Sequence, residues 1–295
     1  IFDPSSSPFQ GSFVELLKGL SKRKAVGLNL NNPYLDWIAK NEKWDEKEIK
    51  QRLSNCKYQP LISILIPVYN ANISYLKEAI QSVHSQYYTN WEICIADDKS
   101  TDPQLTKYLQ QLSAEENTKV VFRESNGHIS ACSNSALSIA EGEFVALLDQ
   151  DDLLSPIALS EIIFLLNSKS ELKLIFSNED KINENGKRFD PYFKPAWNYH
   201  LLLSQNYVSH LGVYKRSILE QIGGFREGYE GSQDYDLLLR FLEQIEESEI
   251  GFVDCFLYHW RAIKGSTAQD IGEKSYAVNA GLRALQDHLD RSQQR

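Results

Sequence analysis

The chain predicts an α/β fold, a Rossmann-like and mostly parallel sheet flanked by helices. Two observations carry this. Short apolar, β-branched runs of strand length alternate with segments whose apolar residues recur at helical spacing. Four such strand–helix units follow one another between residues 60 and 152, and strands separated by crossover helices pair in parallel by default.

Residues 1–59 read as an N-terminal extension, polar and expected to be helical, with an amphipathic piece at Phe13, Leu16, Leu17 and Leu20. Residues 60–295 read as one domain. "LISILIPV" (61–68) is a strand, and Leu76, Ala79, Ile80 and Val83 mark the helix after it. "WEICIADD" (91–98) is the second strand; Asp102 and Pro103 then supply an N-cap and first-turn pair. A third strand at 119–123 leads into a helix that Gly142 is expected to stop. The fourth, 144–148, runs into an acidic stretch, after which Ser155 and Pro156 are expected to start a helix. Beyond it, "LKLIFSNED" reads as a strand, "NENG" as a turn and "FDPYFKPAWNYH" as a Pro-broken loop. "GSQDYDLLLR" opens a helix, "GFVDCFLYHWR" is an alternating strand, and a helix closes the chain at about 272–291.

The composition limits the function. A hydrophobic share of 42% over 295 residues supports a sizeable core. A net charge of −9 argues against nucleic acid as a partner, because phosphate binding wants a basic face. The four cysteines have no metal-ligand spacing and read as reduced, which suits the cytoplasm. No apolar run approaches the roughly 18 residues of a membrane span. GxGxxG, Walker and GxSxG signatures are absent, which counts against a nicotinamide dehydrogenase, a P-loop kinase and a serine hydrolase.

Four places could carry chemistry. Asp149, Asp151 and Asp152 crowd the end of the fourth strand, where carboxylates suit a hard divalent cation or, alternatively, a solvated turn before a helix. Asp98 follows the second strand and serves either a nucleotide or turn chemistry. Asp234 begins a helix, as a general base or as an N-cap. His259 and Arg261 end the last strand; the imidazole can complete a metal site and the guanidinium can take a phosphate, or both are merely packed. In α/β sheets ligands bind beyond the C-terminal strand ends, where Asn70, Asp98 and the acidic cluster all fall.

In this order, "ISILIPVYNA", "WEICIADDKSTD", "NGHISACSNSAL", "GEFVALLDQDDLLSP", "GGFREGYEGSQDYDLLLR" and "LYHWRAIKGSTA" resemble glycosyltransferase family 2, inverting enzymes with a GT-A fold. The resemblance covers about residues 60–290. It implies a nucleotide-sugar half (about 60–152) and an acceptor half (about 153–265). Pro67, Tyr69 and Asn70 would line the nucleotide pocket and Asp98 would bind the base. Asp149, Gln150 and Asp151 match the DxD motif; Asp149 would contact ribose or metal, Asp151 would ligate the ion, and Asp152 would assist. Asp234 matches the catalytic base, His259 the late metal-binding histidine, and Gln233 stands where many members carry an acidic residue.

The subgroup resembles bacterial enzymes of O-antigen and other surface-polysaccharide assembly, often called rhamnosyltransferases and often one module of a longer chain. Mn²⁺ or Mg²⁺ is then the implied cofactor, a UDP- or dTDP-sugar the donor, and a glycan or lipid-linked glycan the acceptor. The implied location is the cytoplasm, at the inner face of the membrane. A nucleotidyltransferase and a non-catalytic sugar-binding module are the rival functions.

Overall fold

The structure, a computed structural model, describes residues 33–262 and 275–293. The amphipathic piece at Phe13–Leu20 and the "GST" at 265–267 lie outside the described residues. The chain divides into two compact units, residues 1–43 and 44–295. In the first, helix α1 (Pro33–Asn41) stacks Tyr34 on Trp37, and Asn41 Nδ2 donates to the Trp37 carbonyl at 2.8 Å.

The second unit begins with α2 (Glu46–Ser54), whose N-cap Asp45 accepts from the Lys47 amide at 2.8 Å and whose Ile49 and Leu53 enter the core. The expected strand–helix alternation follows: β1 (Ile62–Val68), α3 (Ile73–His84), β2 (Trp91–Asp97), α4 (Pro103–Leu112), β3 (Thr118–Phe122), α5 (His128–Ser138) and β4 (Phe144–Leu147). Asp102 caps α4 as the sequence predicts, accepting from Gln104 N at 2.8 Å. Then come β5 (Leu153–Leu154), α6 (Ala158–Ser168), β6 (Leu174–Ile182), β7 (Arg188–Tyr192), α7 (Tyr199–Ser204), β8 (Gly212–Lys215), α8 (Arg216–Gln221), α9 (Gln233–Leu242), β9 (Ile250–Arg261) and α10 (Ser275–Gln293).

The sheet has nine strands in the order β3-β2-β1-β4-β8-β6-β9-β5, with β7 paired to β6. Parallel pairing holds across β3, β2, β1 and β4. Beyond β4 the sheet is mixed: β8 is antiparallel to β4 and β6, while β6 runs parallel to β9. Side chains alternate across it, as strand geometry dictates. Ile62, Ile64, Ile66 and Val68 of β1 join one core with α3, α4 and α6, whereas Leu65 joins the other with α5 and α9.

Three local expectations are corrected. Helix α5 ends at Ser138, and Gly142 serves close packing instead: a Cβ there would lie 2.5 Å from Ser63 Oγ and 2.6 Å from Ser63 N. Helix α6 starts at Ala158, because Ser155 is spent tying elements together; its amide donates to Leu257 O at 2.9 Å and its carbonyl accepts from Gln86 Nε2 at 2.7 Å. The first part of "FDPYFKPAWNYH" is strand, since the Asn183–Gly186 turn returns β7 along β6 as a hairpin. All four cysteines are free, as expected.

Candidate functional site

A cavity of about 810 Å³ lies beyond the carboxyl ends of β1, β2 and β4. That volume is in the range of small-ligand sites. Pro67 and Tyr69 line it from β1, Asp98 from β2, and Asp149, Gln150 and Asp151 from the turn after β4. His210 and Asp234 line it as well, with Tyr276 and Val278 of α10. Residues 80 or more positions apart in sequence meet because three parallel strands end together.

The acidic turn is held from behind. Asp152 N donates to Asp149 O at 3.2 Å, closing the turn. The Asp152 carboxylate is buried and accepts from Tyr258 OH at 2.5 Å and Arg261 N at 2.7 Å. Tyr258 OH also accepts from the Asp149 amide at 3.2 Å. Gln150 ties the turn to β1, accepting from Tyr69 N at 2.9 Å.

This packing brings like charges together away from water. Burial, then the charge of Asp149, pushes the Asp151 carboxyl up to about 6. Burial, then Asp149 and Asp151, holds the Asp152 carboxyl well above the usual carboxylate range. A cation would relieve both. One donor atom each from Asp149, Asp152 and His210 lies within 4.8 Å of the other two. Carboxylates plus one imidazole are a donor set that a divalent ion such as Mn²⁺ accepts, so the residues fit the group that the sequence implies.

Asp234 is the second residue of α9, where the amides of the first turn favour an ionised carboxylate. Asn206 Nδ2 donates to it at 2.8 Å. Burial nevertheless raises its carboxyl, and the Asp149 charge adds to this, while His210 acts in the opposite direction.

Several of the predicted residues are held by partners within the protein. Asn70 has φ 45° and stitches two loops, donating to Ser100 Oγ and accepting from Thr101 N, each at 2.8 Å. Its side-chain amide suits that left-handed backbone. Asp98 reaches the cavity, yet its carboxylate already accepts from Arg123 Nε at 2.8 Å and Gly127 N at 3.0 Å. Arg261 is fully buried behind the acidic turn: Nε donates to Asp151 O at 2.6 Å, Nη2 to Glu78 at 2.7 Å, and the guanidinium lies over Tyr75. His259 turns Nδ1 to Asp180 at 2.6 Å. The aromatic residues of the 192–199 segment do not line this cavity; Trp197, for one, packs on Phe176 and Tyr207.

His210 is the residue that sequence spacing did not single out. It sits 58 positions after Asp152 with no partner histidine near it, so only the β8–β6–β9 arrangement reveals its place.

Comparison with known proteins fits this picture. A profile described as glycosyl transferase family 2 matches residues 63–223, more than half of the chain. An uncharacterized protein of Sinorhizobium fredii, y4gI, is 48% identical over 83% of this chain, which spans 27% of that protein. The O-antigen biosynthesis protein RfbC of Myxococcus xanthus is 36% identical over 88% of this chain, which spans 20% of that protein. The chain thus corresponds to about a quarter or less of these relatives. Among solved structures, S. aureus TarS 1–349 in complex with UDP-GlcNAc superposes with a TM-score of 0.62 at 21% identity, covering 77% of this chain and 66% of that one. That likeness bears out the expected GT-A fold. Among the described residues, no helix is long and apolar enough to cross a membrane.

Proposed function

The chain belongs to glycosyl transferase family 2, and from that membership we propose that it moves a sugar from a nucleoside-diphosphate donor to a hydroxyl of a glycan or lipid-linked glycan. The setting would be bacterial surface-polysaccharide synthesis at the cytoplasmic face of the membrane, by a module of a longer protein. The observation that carries this reading is the meeting of the acidic turn and Asp234 in one cavity of about 810 Å³.

In this reading Pro67, Tyr69 and Asp98 receive the nucleoside, with Asp98 also keeping Arg123 and Gly127 in place. Asp149 and Asp152 would hold Mn²⁺ or Mg²⁺, with Asp151 beside them. When bound, such an ion supplies Lewis-acid neutralisation of the charge that develops on the leaving diphosphate. Arg261 and Tyr258 keep the turn rigid, so the carboxylates need no reorganisation. Asn206 orients Asp234, which takes the proton of the acceptor hydroxyl as that oxygen attacks the anomeric carbon. The attack comes from the face opposite the leaving diphosphate. One C–O bond forms as the other breaks, and the configuration inverts.

The test is a panel of UDP-, dTDP- and GDP-sugars with and without Mn²⁺, reading nucleoside-diphosphate release and thermal stabilisation together. UDP-sugars lead the panel because the TarS structure of like fold holds UDP-GlcNAc. Release and stabilisation by one donor are expected, since a ligand that binds only the folded state raises apparent stability. Pyrophosphate release from a nucleoside triphosphate would mean a nucleotidyltransferase instead, and stabilisation without turnover a sugar-binding module.

A further inference from the structure

We infer that His210, rather than His259, supplies the imidazole of the cation site, and that the buried Glu179–Lys194 pair holds it there. This rests on the reading that the acidic turn takes a divalent cation.

The first argument is distance. An ion about 2.1 Å from each ligand sets its donors at most about 4.2 Å apart. The donor atoms of Asp149, Asp152 and His210 already lie within 4.8 Å of one another, so a small contraction closes the shell. Among the described residues no such trio includes His259. His259 does not line the cavity, whereas His210 does.

The second is that one residue binds all three donors into a unit. The Tyr258 ring stacks on the His210 imidazole, with centroids 4.5 Å apart and planes at 15°. The Tyr258 hydroxyl at the same time donates to Asp152 and accepts from the Asp149 amide. Trp260 meets the imidazole edge-on at 5.8 Å, restricting the ring from a second side.

The third is the backbone beneath the imidazole. Glu179 and Lys194 are both buried and lie 3.1 Å apart as an ion pair. Burying such a pair is costly unless its remaining valences are filled. Here they end on His210: Glu179 Oε2 accepts the His210 amide at 2.9 Å, and Lys194 Nζ donates to the His210 carbonyl. Lys194 Nζ also donates to Val208 O at 2.7 Å, fixing the approach to His210. An internal ion pair that grips both the N–H and the C=O of one residue, on either side of its Cα, fixes the origin of its side chain. Glu179 and Lys194 are therefore positioning residues, and His210 is the ligand.

The experiment is a Mn²⁺ titration of the 295-residue chain without donor, reading the free-ion signal by electron paramagnetic resonance. His210→Ala is expected to weaken Mn²⁺ binding at least tenfold, and His259→Ala to leave it within about twofold. The paired change Glu179→Leu with Lys194→Met takes away both the acceptor and the donor that hold His210 and strands no buried charge. It is expected to weaken binding about tenfold, as loss of an outer-shell partner does. Free imidazole should restore binding to His210→Gly, which repacking alone would not bring about. Near-UV circular dichroism confirms folding, and His210→Gln or His259→Gln replaces the alanine variant at the same position if that variant fails to fold.

Weakening by His259→Ala with none by His210→Ala overturns the assignment; undiminished affinity in the paired variant overturns the clamp. The donor panel separates this inference from the proposed function. A wild-type chain that turns over donor yet binds no Mn²⁺ ends the inference alone, and His210-dependent Mn²⁺ binding without turnover of any donor ends only the proposed function.

Discussion

Asp151→Asn is expected to stabilise the metal-free protein at neutral pH, although it removes a residue of the proposed site. Burial and the nearby Asp149 charge move the Asp151 carboxyl from 3.8 to about 6. Over that interval of about 2 pH units, at about 1.36 kcal/mol each, ionising Asp151 in the folded chain costs up to about 3 kcal/mol. The side chain is only partly buried, so water recovers some of this, and about 1 to 3 kcal/mol is expected. The sign follows from proton counting. Between pH 3.8 and about 6 the folded state binds more protons than the unfolded state, so this group's contribution to stability falls as pH rises and is constant above. The amide variant carries no such cost. Thermal unfolding in EDTA should place Asp151→Asn about 2 to 10 °C above wild type at pH 7, with the gap closing towards pH 4. A gap that is absent at pH 7, or that persists unchanged at pH 4, would refute the argument from charge crowding. Added Mn²⁺ should reverse the order, because wild type then gains a partner for its carboxylates.

Three further outcomes follow from named contacts. Asp234→Asn should lower the transfer rate roughly 10² to 10⁴-fold, the usual range for a general base, while leaving donor-induced stabilisation intact; loss of both together would argue that Asp234 binds donor. Asp98→Ala leaves the Arg123 guanidinium and Gly127 amide without their acceptor, so it should lower stability in urea unfolding by about 2 to 4 kcal/mol with no ligand present. A change within error would mean that Asp98 acts on ligand alone. Gly142→Ala drives a methyl to 2.5 Å from Ser63 Oγ and 2.8 Å from the Leu61 carbonyl; about 1 to 3 kcal/mol of destabilisation is expected by the same measurement, and wild-type stability would show that this crossing has slack.

Much of the fold was legible because its signals are local. The run Ile62–Val68 is apolar at every position but Ser63, as suits a strand covered on both sides, and Asp102–Pro103 caps a helix with its own atoms. Where a residue's task lay elsewhere, local reading failed. Gly142 and Ser155 look like helix punctuation, but their roles are set by Ser63, Gln86 and Leu257, which are distant in sequence and adjacent in space.

The same division runs through the candidate site. By itself the sequence determined that carboxylates cluster at the ends of parallel strands, since Asp98 and Asp149–Asp152 each follow an apolar run directly. It also determined the family resemblance, through the order of its motifs. Only the tertiary structure decided which residues face one another. It drew Tyr258 beneath both Asp152 and His210, turned His259 to Asp180, and buried Arg261 behind the turn. The physical reason is that a strand's direction and period are written in neighbouring residues, whereas a site is made where strands from opposite ends of the chain are brought side by side.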